Sequence, residues 1–352
     1  MDAAEVRERL ALGSEHDERL RLLEAAPDAE VPRLTAAQAE RLFPRLGIER
    51  EDGAALLELQ PHGDAAWAWL LSRSTGALLA GLGEPEPYAP WPDLPATLGA
   101  RGRLFASWVY LACLPATRRL HAEQDVPDDV SWATLADLGL HLAIHRRMHG
   151  AVGLDAPWWL QPHFRGAMFR LGRLQFGRHR APLGSPPPAE VADVLPPGRA
   201  ALGVHIPEDG RLDPEACDAS FAAAARFFPD RFPDDAPVAT CVSWLLDDRL
   251  AEHLPAESNI VRFQRRFTLL PGSDGDGDGR DGDRAIVFFV FRRTDLDPAR
   301  LPRRTRLERV VAEHLAAGGH WAVRRGFVPL ERNPLATRPS LRSGHGGPPR
   351  RG

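Results

Sequence analysis

Segments that can form β-strands are confined to the second half of the chain, and this asymmetry is the strongest constraint on its fold. Before residue 150, β-branched runs are almost absent and apolar residues recur at helical spacing, as in Ala65–Leu82. Leu104–Glu123 has the same character, although Pro115 is expected to kink or break that helix. A further helix is expected to begin at Ser131 and to end at Gly150, a residue type suited to helix ends. The first half is therefore predicted to be all helical.

Short apolar runs and helical segments alternate after about Leu154. The predicted elements of this half are, in chain order, two short strands within Met168–His179, a strand at Ala201–Ile206, a helix at Pro214–Phe228, strands at Val238–Leu246, Ile260–Leu270 and Ala285–Arg292, a helix at Arg306–Ala317 and a last strand within His320–Val328. This order is typical of an α/β sheet rather than of a β-sandwich. The predicted fold class is α+β, with an all-helical domain over residues 1–150 and a mixed α/β sheet domain over residues 151–330.

Two segments are expected to add nothing to this fold. Residues 272–284 are a low-complexity loop of Asp and Gly, and residues 331–352 are an Arg-, Pro- and Gly-rich tail that we predict to be disordered. The chain has 352 residues, which is too many for one ordinary core and fits two domains.

The charge balance argues against a general nucleic-acid-binding protein. The net charge is −4, so the chain lacks a global basic field. One basic run, interleaved with phenylalanines, consists of Arg165, Arg170, Arg173, Arg178 and Arg180. This run suits a nucleic-acid face, a contact with coenzyme phosphates, or two strands with phenylalanines inside and arginines outside. The last interpretation is favoured over the first, and no nucleic-acid partner is expected.

The cysteine pattern and the N-terminus favour a cytoplasmic protein. Cys113, Cys217 and Cys241 are widely spaced and predict reduced, buried thiols rather than disulfides. The first ten residues are charged and lack the apolar segment of a secretion signal. No stretch of about 18 apolar residues occurs, so no membrane-spanning segment is expected.

Two patterns invite a metal-binding interpretation that we do not favour. Asp274, Asp276, Asp278 and Gly279 match the first half of an EF-hand loop, but Ala285 stands where the closing glutamate belongs. His141, His145 and His149 recur every four residues, as zinc ligands on one helix face do, but Leu142 stands where an HExxH motif has its glutamate, and Arg146 and Arg147 add positive charge. We expect no metal site.

The most informative segment is a short strand that passes through a turn directly into a helix. Its sequence, ALGVHIPEDGRLDPEACDASFAAAARFF, begins at Ala201. Backbone amides at a helix N-terminus carry partial positive charge and suit an anion such as a pyrophosphate. Any strand–turn–helix junction has this local geometry, so the segment alone leaves phosphate binding open.

Several long segments resemble actinobacterial acyltransferase domain-containing proteins, in which a helical N-acyltransferase N-terminal domain precedes a GNAT-like C-terminal domain. These segments are Trp108–Gly150, Asp155–His179, Ala201–Ala222, Ser243–Phe267 and His320–Val328. The resemblance covers roughly residues 20–330. It implies that the second domain has a GNAT-like sheet that opens between two central strands to admit the pantetheine arm of an acyl-CoA.

By this resemblance, the coenzyme would contact Val204 and Ile206 on the first of these strands, and Gly210, Arg211 and Leu212 in the phosphate loop. The sequence departs from the family pattern because Gly210 is the only glycine in that loop, beside acidic Glu208, Asp209 and Asp213. The tyrosine that often protonates the leaving thiolate is also missing, since Tyr88 and Tyr110 both lie in the helical half.

The predicted function is transfer of an acyl group from acetyl-CoA or another acyl-CoA to the amine of a small molecule or peptide. A general base with a pKa near neutrality serves such a reaction, and His205 is the first candidate. Glu208 is the second candidate base, and Ser243 and His253 are candidates for a hydrogen bond or proton at the sulfur. The alternative is a non-catalytic GNAT-like scaffold that binds a ligand or a protein.

Overall fold

The computed structural model describes residues 1–86, 88–89, 94–180, 195–196, 198–232, 238–270 and 281–330. The low-complexity loop predicted for residues 272–284 lies outside the described residues up to residue 280, and with it Asp274, Asp276, Asp278 and Gly279; the tail from residue 331 also lies outside them. The prediction of a loop is wrong for residues 281–284, which form the first turn of a helix. None of the helices in the described part of the chain combines the length and the apolar character needed to cross a bilayer.

The first part of the chain is entirely helical, as predicted. Its helices are α1 (Ala3–Arg9), α2 (Asp17–Glu24), α3 (Ala36–Leu42), α4 (Arg50–Glu58), α5 (Ala65–Ala80), α6 (Gly99–Glu123), α7 (Asp128–Leu135), α8 (Asp137–His149) and α9 (Gln161–Phe164), with short 3₁₀ turns at Ser14–His16, Ala96–Leu98 and Pro157–Leu160. One apolar core joins these helices and includes Leu160 and Phe164. The helical layer therefore continues past residue 150, up to the first strand.

Local chemistry explains most of the helix ends. Gly150 ends α8 in the left-handed conformation, with φ of 63°, which a glycine adopts without strain. Ser131 does not begin a helix, because it lies within α7 and its hydroxyl bonds Nδ1 of the buried His121 at 2.6 Å. The helix α6 runs unbroken through Pro115, whose ring lies on an exposed face.

The second part is a six-stranded mixed sheet with helices. Its elements are β1 (Met168–Leu171), β2 (Leu174–Arg180), β3 (Ala200–His205), α10 (Pro214–Arg231), β4 (Val238–Ser243), α11 (Leu250–His253), α12 (Asn259–Gln264), β5 (Thr268–Leu269), α13 (Asp281–Phe291), α14 (Arg306–Ala316) and β6 (Arg324–Pro329), with 3₁₀ turns at Trp244–Leu246 and Pro298–Arg300. The strand order is β1-β2-β3-β4-β6-β5, and only the β3–β4 pair is parallel. This architecture confirms the predicted α+β class.

Two predicted strands are wrong. Ile260–Leu270 forms α12 and a two-residue strand, because Ser258 caps the helix by accepting a bond from the Val261 amide. Ala285–Arg292 forms most of α13, which buries Ile286 and Val287 against Trp321 and its neighbours. A short apolar run without clear period fits a buried helix as well as a strand, so its sequence did not distinguish the two.

One face of the sheet is closed by α10. Alternate side chains of β2, β3 and β4, including Phe176, Val204 and Cys241, pack there with Phe228 of that helix. The opposite face carries the intervening residues and lies beside α8, α9 and the turn at Pro157–Leu160. This second face holds the candidate site.

Candidate functional site

The strands β3 and β4 separate as they run towards their C-terminal ends. Their register pairs only Leu202 with Ala239 and Gly203 with Thr240, whereas β3 continues to His205 and β4 to Ser243. The unpaired ends form a wedge whose walls are strand backbones. Ligands of open α/β sheets bind at such carboxyl ends of parallel strands.

His205 lies on the second face of the sheet, at the edge of this wedge. It is paired with Gln175 across the β2–β3 ladder. Two glycines, Gly177 and Gly203, face each other next to it and leave room for its imidazole. A Cβ on Gly203 would lie 3.1 Å from His205 Nε2, and a Cβ on Gly177 would lie 3.6 Å from the same atom. The glycines therefore form a flat floor, which we call the glycine floor, beneath the imidazole.

The surroundings of His205 keep its imidazole neutral. Burial lowers its pKa to about 3, and the nearby imidazoles of His163 and His179 act in the same direction. Trp159, from the turn before α9, meets the ring edge-on with the centroids 4.7 Å apart. On the same face, His179 Nε2 lies 2.9 Å from the hydroxyl of Thr240 on β4. A neutral imidazole beside a wedge can accept a proton from a bound nucleophile.

The helical part contributes a buried carboxylate close to this face. Asp137 of α8 accepts a 2.9 Å hydrogen bond from Gln175 Nε2 and lies 3.3 Å from Nε2 of both His141 and His163. Burial alone would raise the pKa of Asp137, but the two histidines outweigh it and hold the pKa well below its usual value. The carboxylate is therefore ionised throughout the neutral range.

Two arginines bind the loop between β3 and α10. Arg170 makes a bidentate ion pair with Asp209, at 2.5 and 3.1 Å. Arg173 donates to the carbonyl oxygens of Gly210 and Arg211. Arg170 and Arg173 thus serve the loop, and the phenylalanines of the basic run are buried, as the favoured interpretation predicted. That interpretation is wrong for Arg165, which is buried and donates to the carbonyl oxygen of Gly81 at 2.7 Å.

The N-terminus of α10 is not open for an anion. Asp213 caps the helix, and its carboxylate accepts a 3.0 Å hydrogen bond from the amide of Ala216. Pro214 at the first helical position has no N–H to offer. This geometry argues against the sequence-based idea that a diphosphate lies on the end of this helix.

Glu208, the second candidate base, is engaged elsewhere. Its carboxylate makes an ion pair with Arg292, the residue that follows α13. Burial and the like charge of Arg147 lower the pKa of Arg292 to about 10. Two guanidinium groups, one from each part of the chain, are thus held near the loop that follows His205.

The structure does not bring Ser243 and His253 to His205. Ser243 is the last residue of β4, and its hydroxyl accepts a hydrogen bond from the Leu245 amide, so it caps a 3₁₀ turn. His253 ends α11 and contacts His314 and Trp321, beside a cavity of about 570 Å³ against α14. Their proposed roles at the sulfur have no support in this geometry.

One cluster of side chains has the geometry of a metal site. His145, His149 and Asp155 offer ligand atoms that all lie within 4.8 Å of one another. Asp155 already pairs with both imidazoles, at 3.1 Å each. These contacts hold the two imidazoles and the carboxylate together.

Sequence reasoning missed several residues of the site. The glycine floor had a usable signal, because a glycine inside a strand often marks the close approach of another group. No pattern in the sequence indicated Asp137, Trp159 or His163, because only the packing of the two parts brings these residues to the sheet.

Both parts of the chain match known protein families. The family described as N-acyltransferase N-terminal domain matches residues 37–166, and the family described as GNAT-like C-terminal domain matches residues 168–328. A crystal structure of an acyltransferase in complex with decanoyl-CoA and teicoplanin is 38% identical, covers 94% of this chain and 100% of that chain, and has a TM-score of 0.83.

Two further crystal structures show the same similarity. One is an acyltransferase with CoA and 10C-teicoplanin, at 38% identity, and the other is a mutant with octanoyl-CoA, at 37% identity. Each covers 94% of this chain and 100% of its own, with a TM-score of 0.83. No protein of curated function matches the sequence.

Proposed function

The chain belongs to the family of acyl-CoA-dependent N-acyltransferases that join a helical N-acyltransferase N-terminal domain to a GNAT-like C-terminal domain, and on this premise we propose that it transfers a medium-chain acyl group to an amine of a glycopeptide. Acyltransferases 37–38% identical to it were crystallised with decanoyl-CoA, octanoyl-CoA and teicoplanin. The observation that carries the proposal is the wedge between β3 and β4 with a neutral imidazole at its edge.

The wedge suits the thioester arm of the donor. Beyond Gly203, the edge of β3 that faces β4 has no strand partner, so its backbone groups can bind the amide groups of a pantetheine chain. In this arrangement Val204 and Ile206 contact the arm through their backbones. Strand amides at the same edge would polarise the thioester carbonyl and stabilise the negative charge that develops on its oxygen.

The phosphates of the donor require cations, because Asp213 occupies the end of α10. Arg211 lies exposed in the loop beside Gly210 and Leu212, and Arg292 and Arg147 lie close by. Guanidinium groups bind phosphate in bidentate fashion, which suits this role. The ion pairs of Asp209 and Glu208 offset the acidic charge of the loop. This neutralisation removes the main argument for a non-catalytic scaffold.

An apolar rim suits a medium-length acyl chain better than an acetyl group. Trp158 is 49% exposed next to Trp159, and Val242 is 49% exposed on the same sheet face as His205. Phe289, also 49% exposed, lies under Arg292, which holds the loop after β3. Each methylene that such a surface removes from water contributes about 0.8 kcal/mol, so donors with longer chains gain affinity here.

His205 is proposed to take the proton of the attacking amine. An amine attacks the thioester as the free base and loses a proton as the new C–N bond forms. The imidazole is neutral at physiological pH and lies at the wedge, so its nitrogen lone pair is free for this proton, although its lowered pKa makes it a weaker base than an unperturbed histidine. We expect His205→Ala to lower the rate by about 10²- to 10⁴-fold without a matching change in donor affinity.

The experiment is a chain-length series of donors, from acetyl-CoA to tetradecanoyl-CoA, with a teicoplanin-type glycopeptide that carries a free amine. Release of the CoA thiol and formation of the amide, by mass spectrometry, are measured together. The proposal predicts the highest kcat/KM with octanoyl-CoA or decanoyl-CoA. Preference for acetyl-CoA would refute the medium-chain donor, and thiol release without amide would refute the acceptor.

A matched pair of variants tests the apolar rim. Val242→Asp introduces a charge at the rim and is expected to reduce kcat/KM with decanoyl-CoA far more than with acetyl-CoA. Leu22→Asp makes the same change at a site that is 52% exposed on α2, remote from the sheet, and should alter neither value. Equal losses with both donors would show that Val242 does not contact the acyl chain.

A further inference from the structure

His163 has an unusual environment, and the acyl transfer described above assigns it no role. Its side chain is completely buried in α9, between the helical part and the sheet. Its Nε2 lies 3.3 Å from the carboxylate of Asp137 and 3.4 Å from Oε1 of Gln175. These acceptors assign the proton of a neutral His163 to Nε2, which leaves Nδ1 as an acceptor.

That second nitrogen is the feature that points to a role. Nδ1 of His163 is buried and has no hydrogen-bond partner among the described residues. A buried polar atom without a partner carries a free-energy cost, which functional sites often retain. The atom is therefore available to a proton or a ligand that arrives in the site.

The position of His163 connects it to His205. Gln175, which bonds Asp137, lies directly opposite His205 in the β2–β3 ladder and on the same face. The ring of Trp159 faces both imidazoles, with centroids 6.1 Å from His163 and 4.7 Å from His205. The two histidines thus lie on neighbouring sides of one small cluster.

The surroundings of the two histidines stabilise a protonated imidazole to different extents. His205 is disfavoured as a cation by burial and by two neighbouring histidines, and the charge of Asp137 opposes these effects only weakly. His163 has the ionised Asp137 beside it, which stabilises an imidazolium in a site of low dielectric constant. A proton on His163 is therefore better compensated than a proton on His205.

We propose that His163 and Asp137 form a proton-accepting pair that acts through His205 during acyl transfer. The amine nitrogen forms a bond to the thioester carbon, and its proton passes to His205 and on to Nδ1 of His163. The C–S bond breaks with its electron pair on sulfur, and the stored proton finally returns to the thiolate to give the free thiol. No further reactant is needed. The inference rests on the proposed N-acyl transfer.

Further imidazoles lie near the pair. His141 of α8 contacts the same carboxylate, and His179 of β2 lies near His205. His141 is 24% exposed at its side chain, whereas the side chain of His163 is completely buried. His163 and Asp137 are positioning residues in this scheme, because the group that meets the substrate is His205.

The test is the pH dependence of kcat/KM for Asp137→Asn, which keeps the shape of the side chain and removes its charge. The variant removes the negative charge that would stabilise a proton held by the pair, so we expect a 10- to 100-fold lower kcat, an unchanged KM for acyl-CoA and an acidic limb of the profile shifted to lower pH. A purely structural role would lower rate and Tm without moving the limb.

His141→Gln is the matched control, because it removes the other imidazole at Asp137 and should leave the limb in place. If Asp137→Asn does not fold, His163→Gln tests the inference instead, because the glutamine amide can still donate a hydrogen bond to Asp137. The His163→Gln enzyme is expected to lose the acidic limb of the pH profile and most of kcat. A folded His163→Gln with wild-type rate and profile would overturn the inference. An inactive wild type would instead refute the proposed substrates, so the two failures are distinguishable.

Discussion

Replacing Gly203 with alanine places one methyl group against the imidazole of His205. The added Cβ would lie 3.1 Å from Nε2 of His205 and 3.5 Å from Cδ2 of His179. A comfortable carbon–nitrogen contact is about 3.5–4.0 Å, so the imidazole must move by roughly 0.5 Å. The backbone of Gly203 is not in the left-handed region, so alanine introduces no backbone strain.

The rate and the stability should respond differently. A misplacement of 1 Å at a catalytic group can cost about 100-fold, so a shift of half that size should reduce kcat by roughly tenfold. The crowding costs about 1 kcal/mol of unfolding free energy, and the loss of glycine flexibility in the unfolded chain offsets about 0.4–1 kcal/mol of it. The Tm should therefore change by only a few degrees.

The assay is a double-mutant cycle with His205→Ala, in which kcat and Tm are measured for all four proteins. If the methyl acts through the imidazole, Gly203→Ala should cost little further activity once the imidazole is gone. A full tenfold loss in the His205→Ala background would refute this reasoning, as would a wild-type rate for Gly203→Ala alone.

Three other changes follow from the same contacts. Arg170→Met removes the bidentate partner of Asp209 and should raise KM for acyl-CoA several-fold at constant kcat in steady-state assays. The pKa of His205 is lowered to about 3 in the folded protein, so its neutral form stabilises the fold fully above the unfolded pKa near 6.5, and this stabilisation is lost as pH falls towards 3. Urea titrations should show that the unfolding free energy decreases by about 2 kcal/mol by pH 4.5. This decrease should be absent in His205→Gln. Asp247→Ala removes a fully buried carboxylate that pairs with the partly exposed Arg249 and accepts a hydrogen bond from the Ala322 amide, and it should lower the unfolding free energy by about 2 kcal/mol, while kcat of the folded enzyme stays unchanged. An unchanged Tm for that variant, or a wild-type KM for Arg170→Met, would contradict the assignment of these contacts.

The parts of the fold that the sequence predicted are those with strong local signals. The strand ending at His205 and the helix beginning at Pro214 are separated by a proline, a turn and a capping aspartate, and both were predicted within a few residues. The helix Asp281–Phe291 was missed, because its apolar run has no turn signals inside it and fits either period.

The site was only partly accessible to the same reasoning. His205 was proposed because the family resemblance places it on the strand beside the wedge and because an unperturbed imidazole has a pKa near neutrality. The engagement of Glu208 by Arg292 depends on a helix that was predicted as a strand, so it could not be foreseen. Asp137 and His163 lie in separate helices of the helical part, and only their packing against β2 brings them to the sheet.

The central claim is that the donor lies between β3 and β4 with its thioester at His205. The most direct measurement is a crystal structure with a decanoyl-CoA analogue whose sulfur is in a stable thioether. The account predicts the pantetheine arm along the free edge of β3 beyond Gly203, with the carbon attached to sulfur within about 4 Å of the imidazole. Pairing of the two strands through to His205, with the coenzyme bound elsewhere, would contradict it.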